Sequence, residues 1–253
     1  MRLPRRLRHG EEASLVEHLD ELRSRLIIAL LALGVGFVVA FIFHERLIEW
    51  LQEPLPADRQ LTTFGVTEPF TTSIKVSFYA AVALAFPILI WQVWSFLAPA
   101  LEEGTQRVVA VFVAIATALF AGGLAFAYFV VLPKALSFLT NYDDHLYQVE
   151  IRASYYFSFA AIMLLAIALC FELPIFILGL VRLGVITSAQ LRKNRRYGIV
   201  AAVAVAILLP TVDPVSLIFE AVPLLILFEA SIWLAVLMER RWRRSEAELA
   251  TEL

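Results

Sequence analysis

Long apolar runs, almost free of charge, constrain this chain more than any other feature. Of its 253 residues 60% are hydrophobic, and the mean hydropathy is +0.78. A soluble domain of this size could not bury so much apolar surface. Runs of about 18 apolar residues or more read as transmembrane helices. Six spans are expected: about 26–43, 73–97 with Pro87 inside, 108–132, 155–180 with Pro174 inside, 197–209, and 216–238 with Pro223 inside. The expected fold is an all-α polytopic membrane protein, a single membrane domain over 1–253 that ends in a polar cytoplasmic tail at 244–253. The basic start, with Arg2, Arg5, Arg6 and Arg8, resembles the opening of a signal peptide. The apolar run that follows is longer than the roughly 7–15 residues of such a peptide, so a retained first helix is expected.

Six spans put both termini on one side of the membrane. Arginine and lysine accumulate on the cytoplasmic side. With both termini inside, the inner segments hold the six arginines up to Arg25, then Arg107, Arg182, Arg192, Lys193, Arg195 and Arg196, and finally Arg240, Arg241, Arg243 and Arg244. The outer segments hold only Arg46, Arg59, Lys134 and Arg152. Basic residues thus cluster between spans instead of along a soluble face, which argues against a nucleic-acid partner. The single cysteine, Cys170, excludes a disulfide within the chain and a cysteine-based metal site.

The fifth span is short. Thirteen residues reach about 20 Å, against roughly 30 Å of hydrocarbon. Pro210 and Pro214 fix where it stops, which predicts a short hairpin carrying Thr211 and Asp213 below the outer surface. The two long outer loops, 44–70 and 134–152, carry Trp50, Tyr142 and Tyr147, and read as a cap lying on the membrane.

Four stretches carry candidate chemistry. The first is His18-Leu19-Asp20-Glu21-Leu22-Arg23-Ser24-Arg25, ahead of span one. Ser14 and Glu17 match a capping box, and Leu15, Leu19, Leu22 and Leu26 form one stripe, which predicts an amphipathic surface helix turning into the span. Glu21 and Arg25 form a supportive i,i+4 pair. A recognition site and an ordinary solvated face both fit this stretch. The second is 92–103, where span two leaves the membrane through Phe96 and Pro99 and two acids follow, Glu102 and Glu103. The third is Phe171-Glu172-Leu173-Pro174. A charge at that depth costs from about 2.5 kcal/mol upward, so Glu172 is expected to face a wet groove or to be neutral. The fourth is Glu220 with Glu229 in span six; Glu229 could share a groove with Glu172. No G-x-S-x-G, Gly-rich phosphate loop or H-E-x-x-H occurs, so no enzyme, cofactor or metal is expected. A proton-coupled small-solute transporter built on Glu172 is the second reading that buried acids and kinked helices allow.

The order of these motifs resembles the TatC family, the integral-membrane receptor subunits of the twin-arginine protein translocase. The resemblance rests on 18–25, Glu68-Pro69-Phe70, 87–94, 96–101, 126–129, 171–174, Ile186-Thr187, 191–197 and Asp213. It implies six spans with the last two short, both termini cytoplasmic, a bacterial-type inner membrane and export of folded proteins driven by the protonmotive force. It implies binding of twin-arginine signal peptides, assembly with the single-span TatA and TatB and with further copies of the chain. Glu21, Glu103, Arg23 and Phe96 would form the signal-binding patch. Glu172, Asp213, Thr211 and Glu229 would be intramembrane polar contacts. Pro54, Glu68 and Pro69 would belong to the outer cap. Three departures from the family pattern stand out: Thr105 stands where an acid is usual; Leu217 stands where a glutamine is usual, and Pro210, with Thr211 next door, where a threonine is; and Glu220 is not expected at all.

Overall fold

A computed structural model describes residues 15–56, 59–97, 105–142, 145–146, 150–209 and 214–252, with the side chains of all of these except 15–18, 97, 105–108 and 240–252. Helix α1, Leu15–Ile42, runs for 28 residues without interruption. The expected surface helix and first span are therefore one rod, and the predicted turn between them is absent. Neither glycine nor proline occurs between Leu15 and Gly34, so nothing in that stretch stops the helix. The predicted capping pair, Ser14 and the Glu17 side chain, lies outside the described residues. One side of α1 packs against α3, Glu68–Leu97. The two helices meet through small residues: Ala40 and Ala81 are buried, and a Cβ on Gly36 would stand 3.1 Å from the Ala81 carbonyl. Close approach through small side chains replaces the hydrophobic drive that lipid cannot provide.

Between α1 and α3 lie α2, His44–Gln52, and strand β1, Leu61–Thr62. After α3 comes α4, Thr105–Phe126, then a π turn at Ala127–Val131 and α5, Leu132–Asn141. The loop expected from Lys134 onward is helical as far as Asn141. Pro133 does not end the helix because it stands in the first turn of α5, where its missing N–H is not needed. Strand β2, Ile151–Arg152, pairs in parallel with β1, Leu61 opposite Ile151 and Thr62 opposite Arg152.

The fourth span is two helices, α6 at Ala153–Cys170 and α7 at Leu173–Arg182. A kink was expected at Pro174; the structure has a break at Phe171–Glu172. Pro174 cannot donate to the Cys170 carbonyl, and the Glu172 N–H turns back to Leu169 at 3.1 Å. Helix α7 ends on Gly184 at φ 71, with the Val185 N–H on the Leu180 carbonyl and the Gly184 N–H on the Val181 carbonyl. Three residues after Gly184, Thr187 and Gln190 cap each other at the start of α8, Ser188–Lys193.

Helix α9, Arg195–Leu208, has 14 residues, close in length to the 13 expected over 197–209, and is not among the stretches long enough to cross a membrane by themselves. Helix α10, Pro214–Glu252, has 39 and is not short. Its apolar part continues into a tail rich in Glu, Arg, Ala and Leu, all good helix formers with no stop signal among them. Among the described residues five helical stretches are long and apolar enough to cross a membrane: 19–42, 68–96, 109–141, 153–182 and 214–239.

Two apolar clusters are stacked along the bundle. The first, at what we term the cap end, joins Leu51, Val131, Leu132, Tyr156, Met163 and their neighbours. The second, at the amino-terminal end, joins Phe86, Trp94, Phe112, Ile175 and Ala235. The cap is tied down by tyrosines. The Trp50 ring stacks on Tyr128 at 3.9 Å. The Tyr128 hydroxyl donates to the Trp50 carbonyl at 2.8 Å and to Glu53 Oε2 at 3.1 Å. The Tyr156 hydroxyl donates to the Leu51 carbonyl at 2.6 Å. The Trp50 carbonyl also accepts from the Glu53 N–H at 3.3 Å, whereas for the Leu51 carbonyl the Tyr156 hydroxyl is the partner among the described residues. Replacing Tyr156 by Phe strands the Leu51 carbonyl, at a cost of about 1–3 kcal/mol. A lower thermal midpoint is expected for Y156F in detergent, and an unchanged one for Y142F, whose ring is exposed.

Candidate functional site

The amino-terminal end of the bundle gathers the first group of predicted residues. The α1 register places Glu21 and Arg25 on one side and Arg23 on the other. Arg25 donates to Glu21 Oε1 through both Nε, at 3.1 Å, and Nη2, at 2.5 Å. The same Nη2 lies 2.9 Å from the Ser95 carbonyl, in the last turn of α3. The pair read from sequence as local helix support is thus also a clasp between α1 and α3. Both Arg25 donors fall on one carboxylate oxygen. Oε2 of Glu21 makes no hydrogen bond among the described residues. Phe96, next to Ser95, is half-buried, and Arg23 is exposed. Glu103 lies outside the described residues.

The α3 end is fixed from behind. The buried Trp94 ring lies against the backbone of Gly179 in α7, where a Cβ would overlap the ring. Phe112 meets it edge-on at 4.8 Å. Glycine at 179 is therefore what lets α7 approach α3 beneath the clasp. No signal in the sequence linked Arg25 to Ser95 or Gly179 to Trp94, because each contact spans at least 70 residues.

The intramembrane acids are not gathered in one groove. Glu172, at the α6–α7 break, is 1% exposed, and neither carboxyl oxygen has a hydrogen-bond partner among the described residues. It is enclosed by protein instead of facing an open groove. Glu229 does not join it: Glu229 Oε2 pairs with Arg195 Nη2 at 2.6 Å, at the start of α9. Glu220 is a second buried acid, 3% exposed, on α10. Thr211 and Asp213 lie outside the described residues. Leu217 packs with Ala202, Ala206 and Leu224, so the position where a glutamine is usual is apolar in its contacts too. Among the described residues no three His, Cys, Asp or Glu stand together as metal ligands would.

At the cap end Glu68 is a junction. Its Oε2 accepts from the Phe64 N–H at 2.9 Å, and its Oε1 from Arg152 Nε at 2.9 Å and the Ser154 N–H at 3.2 Å. One carboxylate thereby ties the β1–α3 turn to β2 and α6. It stands in the first turn of α3, ahead of the apolar run. The Arg152 guanidinium, then Ser154 and the Phe64 N–H, hold its carboxyl well below the usual carboxylate range. Arg152 is itself flanked by the rings of Tyr155 at 5.1 Å and Phe64 at 5.8 Å. Pro69 follows at the exposed start of α3, and Pro54 is half-buried just after α2.

Residues 17–223 match the family model described as Sec-independent protein translocase protein (TatC). The chain belongs to the TatC family. It is 36% identical to the Sec-independent protein translocase protein TatC of Desulforapulum autotrophicum, over 96% of this chain and 92% of that protein. It is 32% identical to the protein TatCd of Bacillus subtilis, over 95% of this chain and 98% of that one. A crystal structure of the twin arginine translocase receptor TatC in the detergent DDM superposes with a TM-score of 0.78 at 36% identity, covering 86% of this chain and 99% of that one. The polytopic helical fold expected from the apolar runs is thus the TatC fold.

Two outcomes follow for this TatC-family chain. Burying an acid without a partner is unfavourable, so E172L is expected to raise the thermal midpoint, as sites kept for function commonly lower stability. For Glu68 the folded-state value is depressed, so its stabilisation is complete above the ordinary glutamate range near about 4.3 and is lost as pH falls below it. The difference in thermal midpoint between wild type and E68Q is expected to be full at neutral pH and to shrink in acid.

Proposed function

We propose that this chain is the receptor of a twin-arginine translocase. It takes twin-arginine signal peptides at the end where α1 begins and α3 ends, and assembles with TatA- and TatB-type single-span proteins and with copies of itself. Folded cargo is exported at the expense of the protonmotive force. We place the chain in a bacterial-type inner membrane with six spans, α9 being the short fifth, and with both termini cytoplasmic. The excess of arginine and lysine on the segments at that end supports this orientation.

The observation that carries the reading is the half-open carboxylate of Glu21. It is clasped on Oε1 by Arg25, and its Oε2 makes no hydrogen bond among the described residues, beside the exit of α3. Two adjacent signal arginines are planar, permanently charged forks, and a carboxylate accepts such forks with a geometry that lysine cannot match. Glu103 is the second acid of the patch, and Arg23 and Phe96 complete it. Thr211, Asp213 and Glu229 are the polar contacts toward partner helices, Glu229 beside its pair with Arg195; Glu172, expected among them, is enclosed by this chain's own helices and acts within the bundle. Pro54, Glu68 and Pro69 belong to the opposite cap. No observation favours the solute-transporter reading, and Glu172 is enclosed.

Binding of a fluorescent twin-arginine signal peptide to the purified full chain tests this. E21Q is expected to weaken binding about tenfold, the loss of one charge-assisted contact. A twin-lysine peptide should bind the wild type comparably weakly and lose little more on E21Q. Undiminished twin-arginine binding after E21A and E103A together would overturn the assignment.

A further inference from the structure

At the amino-terminal end, a cavity of about 170 Å³ opens between the α8–α9 junction and the outer side of α10. Its floor is the buried Ile232 and Val236, its walls are the exposed Trp233 and Leu237, and its mouth is held by Arg192 and Arg195. From these contacts we propose that this is a binding site for an anionic phospholipid, its headgroup phosphate between Arg192 and Arg195 and one acyl chain along α10.

Three observations support a lipid as the occupant. The first is charge. Arg192, Lys193, Arg195 and Arg196 are exposed within five residues, and four further arginines follow at 240, 241, 243 and 244 on α10 itself. Basic pockets between helices at the membrane surface suit anionic headgroups. Arg195 is already oriented by Glu229 at 2.6 Å, and Arg192 makes no ion pair among the described residues. The second is length. The exposed side chains Ile226, Trp233 and Leu237 continue the cavity down one side of α10. From Leu237 to Ile226 the helix rises about 16 Å, which matches one leaflet, half of roughly 30 Å of hydrocarbon. A free phosphate would use the arginines and leave that stripe bare. The third is Trp233, whose amphipathic ring suits the headgroup boundary. The site lies apart from the Glu21 patch and does not depend on the signal-receptor reading.

Native mass spectrometry of the full chain in detergent, titrated with phosphatidylglycerol or phosphatidylcholine, tests the proposal. The wild type is expected to retain phosphatidylglycerol preferentially. R192Q/R195Q should weaken its binding about fivefold or more per arginine removed. K193Q/R196Q removes the same net charge next to the cavity and should keep the preference. R192Q alone breaks no ion pair among the described residues and carries the test if the double variant fails to fold. W233A should lower retention of both lipids. Equal loss in the two double variants would reduce the effect to surface charge and overturn the site. So would displacement of phosphatidylglycerol by millimolar inorganic phosphate, or retention of both lipids alike.

Discussion

A backbone amide in hydrocarbon must be bonded within its own structure, because no water is there to replace the partner. Three irregularities among the described residues are placed where that demand is met another way. Helix α2 ends at the cap, and the hydroxyls of Tyr128 and Tyr156 accept the task of water for its terminal carbonyls. The fourth span breaks at Phe171–Glu172, and a tightened turn to Leu169 recovers one bond while Pro174 removes the need for another. Helix α7 closes on Gly184 with two reverse bonds before α8 is capped by its own threonine and glutamine. The same rule that forces regular helices through the bilayer thus selects where proline, tyrosine and left-handed glycine stand.

The two ends of the bundle are built on different principles. The cap is bound by convergent hydrogen bonds onto single atoms, with Glu68 serving three donors and Tyr128 two acceptors. Such nodes resist small displacements because several bonds distort together. The amino-terminal end is held by single ties: Arg25 to Ser95, Trp94 into Gly179, and the Ser188 N–H on Glu239. Its charged groups keep unused bonding capacity, as Glu21 does on Oε2. One end thus keeps bonding capacity in reserve, and the other holds the helices in register by saturation.

Much of this was legible in the residue order. Hydropathy located the membrane-crossing stretches, and the prolines marked the α6–α7 break and the short reach of α9. What stayed hidden follows from how the signals act. Proline reads as a stop, yet Pro133 lies in a helical first turn, and only the preceding π turn makes room for it. The polar start of α1 reads as a surface helix because its composition changes, but composition does not bend a rod. Glu229 looked like a companion for Glu172, and Arg195, on the next element, claims it instead. Arg25 appeared as local support because spacing reports neighbours along a helix, not neighbours across seventy residues.

The π turn at Ala127–Val131 has one more implication. A π turn is an α-helix carrying one extra residue, and everything beyond it is rotated by about 100° relative to an uninterrupted helix. Tyr128 stands inside that turn, facing Trp50, while Leu132, Ala135 and Leu136 beyond it are buried in the cap cluster. The third span is in effect two screws joined out of phase, one phased to the membrane bundle and the other to the cap. Losing a single residue between 127 and 131 would restore a regular thread and turn the whole of α5 away from its seat, with every side chain still present.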